Sequence, residues 1–291
     1  MITVVGDLVV DLVVKHHGGN YATDAPALIT THAGGQANHV AAWIAINEEP
    51  VTLIGRVGQD LYGDFLLNDA EKLGVTLAVD RDASLETGKI VLLVDGENSE
   101  RSMFTDRGAN AALNVDQVKR VAPTIMSSNC IYVSGYSLFE SKTREASMFA
   151  KETALEHNIM IAVDPSSTYF LEQHKEWMLD FIQHTDFFFP NLEEGILLTG
   201  QKDPAKIMAA LREWVKYPIL KLGSDGCMFY QDDLLNHLPA KNVTAVDTTG
   251  AGDSFIGSFL ANYMKTNSVE KAAITATNTA AITVQKYGGR P

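Results

Sequence analysis

The sequence predicts an α/β fold, in which a mainly parallel β-sheet lies between two layers of helices and a small second β-sheet is attached. From about residue 110 onward, short apolar runs alternate with amphipathic stretches. Each of these runs is continuously apolar, which is typical of parallel strands covered on both faces. In the first hundred residues, two segments instead alternate apolar and polar residues, as strands with one solvated face do.

The elements of the main sheet can be assigned in chain order. Strands are predicted over residues 130–134, 159–164, 186–189 and 217–222, and helices over 143–157 and 169–184, with two more within 191–216. Ligands of such sheets bind beyond the carboxyl ends of the strands. The polar residues that directly follow these strands are therefore candidates on position alone: Ser134, Asp164, Asn191 and Gly223.

The N-terminal third of the chain predicts the small sheet. Residues 27–31 and 88–95 alternate, and the second segment is followed by a predicted turn over 96–98 and an extended run over 101–104. We expect segments near residues 12–32 and 76–106 to form this sheet as an insertion. Residues 1–291 are then expected to form a single domain.

Composition narrows the function classes. The chain has 291 residues, of which 46% are hydrophobic and 20% charged, as is ordinary for a globular enzyme. A formal net charge of −13 argues against nucleic acid or an anionic membrane as the main partner. Cys130 and Cys227 lie in apolar runs and are expected to be buried free thiols. The sequence has no basic N-terminal region and no apolar stretch of ~20 residues, so a cytoplasmic location is predicted.

The most informative segment is Asp247–Asp253, D-T-T-G-A-G-D, which precedes the apolar run Ser254–Leu260. Two glycines flanking an alanine allow a tight turn, and the apolar run predicts a buried helix whose first N–H groups would form an anion site. A carboxylate, Asp253, stands at the edge of that site. This combination suits transfer of a phosphoryl group to a hydroxyl whose proton the carboxylate accepts. The alternative is an ordinary helix start with an acidic first turn.

Two further segments are candidates for holding the acceptor. Gly34 and Gly35 permit close approach of the backbone to a ligand, and Asn38 offers one acceptor and two donors at the start of an apolar helix. Asp11 ends the first predicted strand among apolar neighbours, where a carboxylate is expensive to bury unless it is hydrogen-bonded. The alternatives are a helix cap for Asn38 and a backbone turn for Asp11.

Two strand ends are candidates for a nucleotide. Asn191 and Glu194 are three residues apart and share one face of the helical turn that follows a strand. The loop from Lys221 to Gly226 contains two glycines, which let the backbone pass close to a flat or phosphorylated ligand. For Asn191 and Glu194, the alternative is an exposed acidic first turn. The sequence contains no Walker-type phosphate loop.

The segment Asp247–Asp253 resembles the signature of the ribokinase-like (PfkB-type) sugar kinases. Similar stretches extend this resemblance over nearly the whole chain: 33–41, 53–66, 107–113 and 134–136. The resemblance implies that Asp253 is the catalytic base, and that the transferring phosphoryl group is stabilised by Gly250, Ala251 and Gly252. The acceptor site that it implies consists of Asp11, Gly34, Gly35, Asn38 and Tyr136. Ala33 departs from the pattern, since it stands where the family has its first glycine.

The same resemblance implies ATP and magnesium. On the ATP side it implies Asn191, Glu194, Lys221, Gly223, Ser224, Gly226, Thr277 and Asn278. The Asn191/Glu194 element resembles one that is linked to magnesium and phosphate placement, which a carboxylate can achieve through metal-bound water. A potassium ion is implied behind the anion site, at Asp247, Thr249 and Gly288. The alternative there is that Asp247 only caps the turn.

Together these observations predict an ATP-dependent kinase that phosphorylates a primary hydroxyl of a sugar or sugar-like molecule. A nucleoside kinase of the same fold is the nearer alternative, and a non-catalytic binding protein is the farther one. The small sheet is expected to act as a lid that excludes water. It is also expected to pair with a second copy in a homodimer, because its face with Ile90, Leu92 and Val94 would otherwise be exposed.

Overall fold

A computed structural model describes residues 1–16, 24, 26–95, 101–286 and 288–290 of the chain. Its strands are β1 (Ile2–Val5), β2 (Val9–His16), β3 (Ala27–Gly34), β4 (Val51–Gly58), β5 (Thr76–Asp82), β6 (Gly88–Asp95), β7 (Arg101–Asp106), β8 (Cys130–Ser134), β9 (Met160–Asp164), β10 (Phe187–Phe188), β11 (Tyr217–Lys221), β12 (Cys227–Gln231) and β13 (Leu234–Leu238). Its helices are α1 (Gln36–Ile46), α2 (Leu61–Lys72), α3 (Val115–Met126), α4 (Ser141–Glu156), α5 (Thr168–Phe181), α6 (Leu192–Thr199), α7 (Pro204–Leu211), α8 (Ala251–Thr266) and α9 (Val269–Thr283).

The large sheet is mainly parallel. In the described part of the chain it has nine strands in the order β13-β12-β11-β10-β9-β8-β1-β4-β5. All neighbours from β5 to β11 pair in parallel, whereas β12 and β13 are added antiparallel at one edge. Every residue of the interior strand β1 is buried, which is why its sequence is mostly apolar.

Helices cover both faces of this sheet, so the predicted three-layer arrangement is confirmed. Successive residues of β1 point to opposite faces. Val4 belongs to the core cluster that includes Val40 of α1 and Phe259 of α8. Val5 belongs to the opposite cluster, which includes Leu211 of α7. Because all the parallel strands run the same way, their carboxyl ends meet along one edge of the sheet, where a ligand site is expected.

The small sheet has the order β3-β2-β6-β7. Its outer pairs are antiparallel, as the alternating pattern predicts, but the central pair, β2 with β6, is parallel. The two central strands are far apart in sequence and are joined by a long crossover, which allows parallel pairing. The predicted turn over 96–98 lies outside the described residues.

Asp11 does not end the first strand, as the sequence predicted. Strand β1 ends at Val5, and Asp11 lies inside β2 of the small sheet, opposite His32. Several boundaries differ by a few residues: the helix predicted over 169–184 is Thr168–Phe181, and the strand predicted over 186–189 is Phe187–Phe188. Strand β5, inside the segment 76–106 that was expected to form the small sheet, joins the large sheet instead. Cys130 and Cys227 are buried free thiols. None of the helices in the described ranges is long and apolar enough to cross a membrane.

Candidate active site

The N-terminus of α8 forms a rigid turn at the carboxyl edge of the large sheet. Gly250 precedes the helix in the left-handed conformation (φ 71°), and a Cβ at this position would overlap the Cα of Gly289. One carboxylate oxygen of Asp247 accepts from the backbone N and hydroxyl of Thr249, at 2.9 and 2.7 Å. Its other oxygen accepts from the N of Gly288 at 3.0 Å. The structure therefore brings together the three residues implied for potassium, and their hydrogen bonds fix the turn behind the helix.

Asp253 lies in the first turn of α8, with its side chain 17% exposed. Burial raises the pKa of this carboxyl group, while contact with His39 opposes that effect. The carboxylate Oδ2 is 2.9 Å from Nδ1 of His39, a residue of α1. A carboxylate beside a helix N-terminus can accept a proton close to where negative charge on a phosphoryl group would be stabilised.

Asp11 and Asn38 both approach Gly34, close to the N-terminal end of α1. Asp11 Oδ1 and Asn38 Oδ1 are both buried without a hydrogen-bond partner among the described residues. Burial raises the pKa of Asp11 to about 6. A Cβ on Gly34 would overlap the carboxylate of Asp11, so only glycine fits opposite this side chain. Buried acceptors normally have partners, so these two oxygens match a ligand that donates hydroxyl hydrogens.

Asp7 has a different role from Asp11. It is almost fully buried, and its carboxylate accepts from the backbone N of Gln36 at 3.4 Å and of Ala37 at 3.2 Å. It therefore caps α1. Arg107 Nη1 is 3.5 Å from Asp7 Oδ2, and its guanidinium lies 5.1 Å from the ring centre of Tyr136. Tyr136 is half-buried directly after β8, and burial raises the pKa of its hydroxyl.

A buried polar network crosses the strand ends between the acceptor pocket and α8. Gln36 Nε2 donates to Asp164 Oδ1 at 2.9 Å, and Asp164 Oδ2 accepts from the ammonium group of Lys221. Although burial disfavours the charged form, Asp164 and Glu194 hold the pKa of Lys221 above its ordinary value. Lys221 Nζ also lies 3.5 Å from the point where a Cβ on Gly252 would stand. A positive charge is thus held beside the N-terminal turn of α8.

A cavity of about 540 Å³ extends from this turn to α9. Six of the eight residues implied on the ATP side line it: Asn191, Lys221, Gly223, Ser224, Gly226 and Thr277. Glu194 and Asn278 are not among its lining residues. One wall comes from the segment 240–245, including Lys241 and Val243, which the sequence patterns did not single out. Ala251 and Gly252 line the cavity as well.

Asn191 and Glu194 form a capping box at the start of α6. The Asn191 side chain accepts from the N of Glu194 at 2.9 Å, and Glu194 Oε2 accepts from the N of Asn191 at 2.8 Å. Glu194 is only 2% exposed, unlike the exposed acidic turn that was the alternative. Burial, aided by the charge of Asp164, raises its pKa to about 7. Lys221 is the opposing charge in this cluster.

Sequence reasoning missed three residues that the structure brings to this region. Gln36 belongs to the network described above, and His39 contacts Asp253. The backbone O of Asn38 is 3.5 Å from Nη1 of Arg290, whose Nη2 lies 2.8 Å from Asp69 Oδ2. Each of these contacts joins parts of the chain that are far apart in sequence, so no local spacing pattern could predict them.

The N-terminal turn of α8 and Lys221 line the same cavity, and Asp253 lies in the first turn of that helix. This arrangement on a three-layer fold defines a phosphotransferase of the ribokinase-like class. The chain belongs to the pfkB family of carbohydrate kinases, whose family model matches residues 1–291. It is a carbohydrate kinase of that family.

Named relatives agree with this assignment. A deoxyribokinase from Salmonella typhi is 29% identical over 297 residues, covering 99% of this chain and 93% of the relative. Fructokinase-1 from Oryza sativa subsp. japonica is 28% identical over 307 residues, covering 98% and 92%. An E. coli protein assigned as a ribokinase II, solved with ATP and Mg²⁺, superposes with a TM-score of 0.90 at 22% identity, covering 99% of this chain and 94% of that one.

Proposed function

We propose that this enzyme transfers the γ-phosphoryl group of ATP to a primary hydroxyl of a neutral sugar or sugar-like molecule, with Asp253 as the general base. The observation that carries the proposal is the position of Asp253 in the first turn of α8. The cavity lies against the start of that helix, where it is lined by Ala251 and Gly252.

The cavity fits ATP in size and chemistry. Its apolar wall of Val243, Ala280 and Ala281 suits a flat base, and its other end has a helix N-terminus and Lys221 for phosphates. ATP supplies the phosphoryl group. Backbone N–H groups of Gly250 and Gly252, with the Lys221 ammonium, stabilise the charge on the transferring oxygens. The N–H of Ala251 donates to the backbone O of Thr248 at 3.3 Å and would have to leave that carbonyl to take part. A magnesium ion would neutralise phosphate charge, and the Asn191/Glu194 turn would hold its water ligands from the side on which Asn191 lines the cavity.

On the acceptor side, Asp11 and Asn38 accept hydrogen bonds from sugar hydroxyls through their orphaned oxygens. Gly34 and Gly35 make room for the carboxylate of Asp11 and for the backbone of Asp7, and Tyr136, whose ring contacts Arg107 beside Asp7, is proposed to flank the acceptor. A carboxylate or phosphate group has no hydrogen to donate to these two orphaned oxygens, so the part of the acceptor that faces them is expected to carry hydroxyls. Asp253 takes the proton of the reacting hydroxyl as its oxygen attacks phosphorus, and ADP leaves.

A potassium ion at Asp247, Thr249 and Gly288 is part of the proposal, since a fixed charge behind the turn would help aim its N–H groups at the phosphate. A cytoplasmic location is also proposed, because the reaction consumes ATP and the free thiols Cys130 and Cys227 suit a reducing compartment.

An ADP-release assay over a panel of acceptors tests this function. The panel contains 2-deoxy-D-ribose, D-ribose, D-fructose, hexoses, sugar acids and nucleosides, each measured in potassium and in tetramethylammonium at equal ionic strength. We expect a neutral sugar to give the highest turnover, and potassium to increase it. Highest turnover with adenosine would favour the nucleoside-kinase alternative, and equal rates in both salts would remove the cation site.

The variant Asp253→Asn tests the base. The amide keeps the shape of the side chain but cannot accept the proton, so turnover is expected to fall by ~10²–10⁴-fold. ATP binding, measured by calorimetry, should stay close to wild type because the cavity is unchanged. Full turnover by this variant would show that Asp253 is not the base.

A further inference from the structure

His39 connects the acceptor pocket to the carboxylate of Asp253. It lies in α1, and its side chain is only 6% exposed. Its Nδ1 is 2.9 Å from Asp253 Oδ2, and its Nε2 is 3.0 Å from the backbone O of Ala33. A Cβ on Gly289 would stand 2.9 Å from Cε1 of the ring, so the C-terminal segment also confines it. The ring is therefore held between two oxygens in one orientation.

These two contacts determine how many protons the His39–Asp253 pair carries. The carbonyl of Ala33 has only lone pairs to offer, so Nε2 must carry a hydrogen. A carboxylate oxygen at hydrogen-bond distance from Nδ1 requires a second proton between those two atoms. An imidazole ring with hydrogens on both nitrogens is a cation. The geometry therefore fits an imidazolium–carboxylate pair with a shared proton, rather than a neutral histidine beside a carboxylate.

We propose that His39 is a positioning residue for phosphoryl transfer: as an imidazolium it fixes Oδ2 of Asp253, keeps that carboxylate ionised, and leaves Oδ1 to receive the proton of the acceptor hydroxyl. The inference rests on the proposed role of Asp253. In the step itself the acceptor oxygen bonds to phosphorus, the bond from phosphorus to ADP breaks, and the hydroxyl proton moves to Asp253. His39 keeps both of its protons throughout.

The charges around the pair are consistent with this role. Asp11 of β2 and Arg290 of the C-terminal segment face His39, while Asp164 after β9 and Lys221 at the end of β11 face Asp253. Burial lowers the pKa of His39, but the contacts with Asp253 outweigh burial and leave the pKa above its ordinary value. Burial acts on Asp253 in the opposite sense and favours its protonated form. Without a cation at His39, the effect of burial on Asp253 would be opposed less, and the pKa of this carboxyl group would rise further.

Two substitutions separate the contacts of the ring. In His39→Asn the amide nitrogen stands near the Nδ1 position and can still donate to Asp253, but it has no charge. In His39→Gln the amide nitrogen stands near the Nε2 position, so the contact with Ala33 is kept and the contact with Asp253 is lost. Both variants are assayed with the fastest acceptor among 2-deoxy-D-ribose, D-ribose and D-fructose, after their melting temperatures and ATP affinities show that they are folded.

We expect kcat to fall by about 10- to 100-fold in His39→Gln and by less in His39→Asn, with little change in KM for either substrate. The acidic limb of the kcat/KM profile should move to higher pH in both variants, because Asp253 then loses its proton only at higher pH. A general loss of packing would not shift this limb. An unchanged acidic limb in folded His39→Asn would overturn the inference.

A second measurement needs no acceptor. In protein labelled with ¹⁵N-histidine, the ring signals of His39 are assigned by their absence in His39→Gln. We expect both ring nitrogens to be protonated at pH 7 in the wild type and the ring to be neutral in Asp253→Asn. A neutral His39 ring in the wild type at pH 7 would overturn the inference. The proposed roles of Asp253 and His39 can fail separately. Full turnover by Asp253→Asn would reject Asp253 as the base. If Asp253→Asn is inactive but the His39 variants keep the wild-type kcat and pH profile, only the role of His39 is rejected.

Discussion

At the scale of single residues, the proposed acceptor site contains a buried carboxylate, Asp11, that lowers the stability of the folded chain. Burial raises the pKa of Asp11 to about 6, whereas an unfolded aspartate titrates near ~3.9. Between about pH 4 and 6 the folded chain therefore binds more of this proton than the unfolded chain does. The free energy of unfolding that depends on Asp11 falls as the pH rises through this window, and stays lower above it.

We therefore expect Asp11→Asn to be more stable than the wild type above pH 6, since the amide has no charge to bury. Most of this advantage should be lost near pH 4, where folded Asp11 is protonated and the unfolded residue is about half protonated. The same change should raise KM for the acceptor. The amide either puts a nitrogen where the unpartnered oxygen of Asp11 stood or turns its remaining oxygen away from the acceptor. Urea unfolding at pH 4 and pH 7.5, together with acceptor kinetics, measures both effects.

A matched control is Glu71→Gln, which neutralises an exposed carboxylate on α2. It should change neither the stability at pH 7.5 nor the acceptor KM by a comparable amount. If Asp11→Asn were less stable than the wild type at pH 7.5, this would contradict the interpretation that Asp11 is buried at a cost in stability because it binds the acceptor.

Residues of this site differ in how far the sequence could predict them. The segment around Asp253 is local, since its glycines, its carboxylate and the apolar helix behind it are consecutive in the chain. His39 acts through a partner 214 residues away, and no spacing pattern encodes that distance. The sequence predicted Asp11 as a candidate for holding the acceptor but assigned it to the first strand instead of β2. The local sequence could not show this, because the turn after Val5 is set by packing.

At the scale of elements, the turn before α8 can be tested with two glycines of similar backbone conformation. Gly250 and Gly200 have φ angles of 71° and 72°. An added Cβ would overlap Gly289 at the first position and meet nothing within 4 Å at the second. Both alanine substitutions cost roughly 1–2 kcal/mol for the left-handed conformation. Only Gly250→Ala should also displace the anion site.

We therefore expect Gly200→Ala to lose stability but keep its turnover, and Gly250→Ala to lose both. Stability is measured by urea unfolding, and turnover in the ADP-release assay. Equal turnover in the two variants would contradict the role of the α8 turn. Its N–H groups would then contribute nothing particular to phosphoryl transfer.

Elements were predictable where burial alone defines them. Strand β8 matches its predicted bounds, Cys130–Ser134, because a strand covered on both faces is apolar throughout. The parallel pairing of β2 with β6 was not predictable, since neither strand's own sequence encodes its partner or the direction of the pairing. The segment 240–245 lines the ATP-sized cavity without any regular pattern of its own.

At the scale of the whole molecule, the acceptor pocket joins two parts of the structure. Asp11 belongs to β2 of the small sheet, whereas Asn38 belongs to α1, which covers the large sheet. An acceptor held by both would tie the small sheet to the rest of the chain. Closure of this kind would also exclude water, which otherwise competes with the sugar for the phosphoryl group.

The small sheet also has apolar side chains that a second copy could cover. Leu28 and Ile29 of β3 are 62% and 63% exposed, and Met103 and Phe104 of β7 are 55% and 59% exposed. These residues lie on the two edge strands. Ile90, Leu92 and Val94, which were expected to be exposed, are half-buried instead. A homodimer through this sheet therefore stays a prediction. Its contacts are expected on the edge strands β3 and β7 more than on the central strand β6.

Hydrogen exchange distinguishes closure from dimerisation. We expect an unreactive ATP analogue together with the fastest acceptor to slow exchange in β3, β6 and β7 at fixed protein concentration, because a closed sheet opens less often. Helix α7 (Pro204–Leu211), which packs on the other side of the molecule with Val5, serves as the internal control and should not change. Dimerisation would instead slow exchange in β3 and β7 without any ligand, and more so as protein concentration rises. Closure is contradicted if the acceptor leaves exchange in all three strands unchanged. It is also contradicted if Asp11→Asn, at saturating acceptor, shows the same protection as the wild type. The reason is that Asp11 is the residue through which the acceptor is proposed to hold the small sheet.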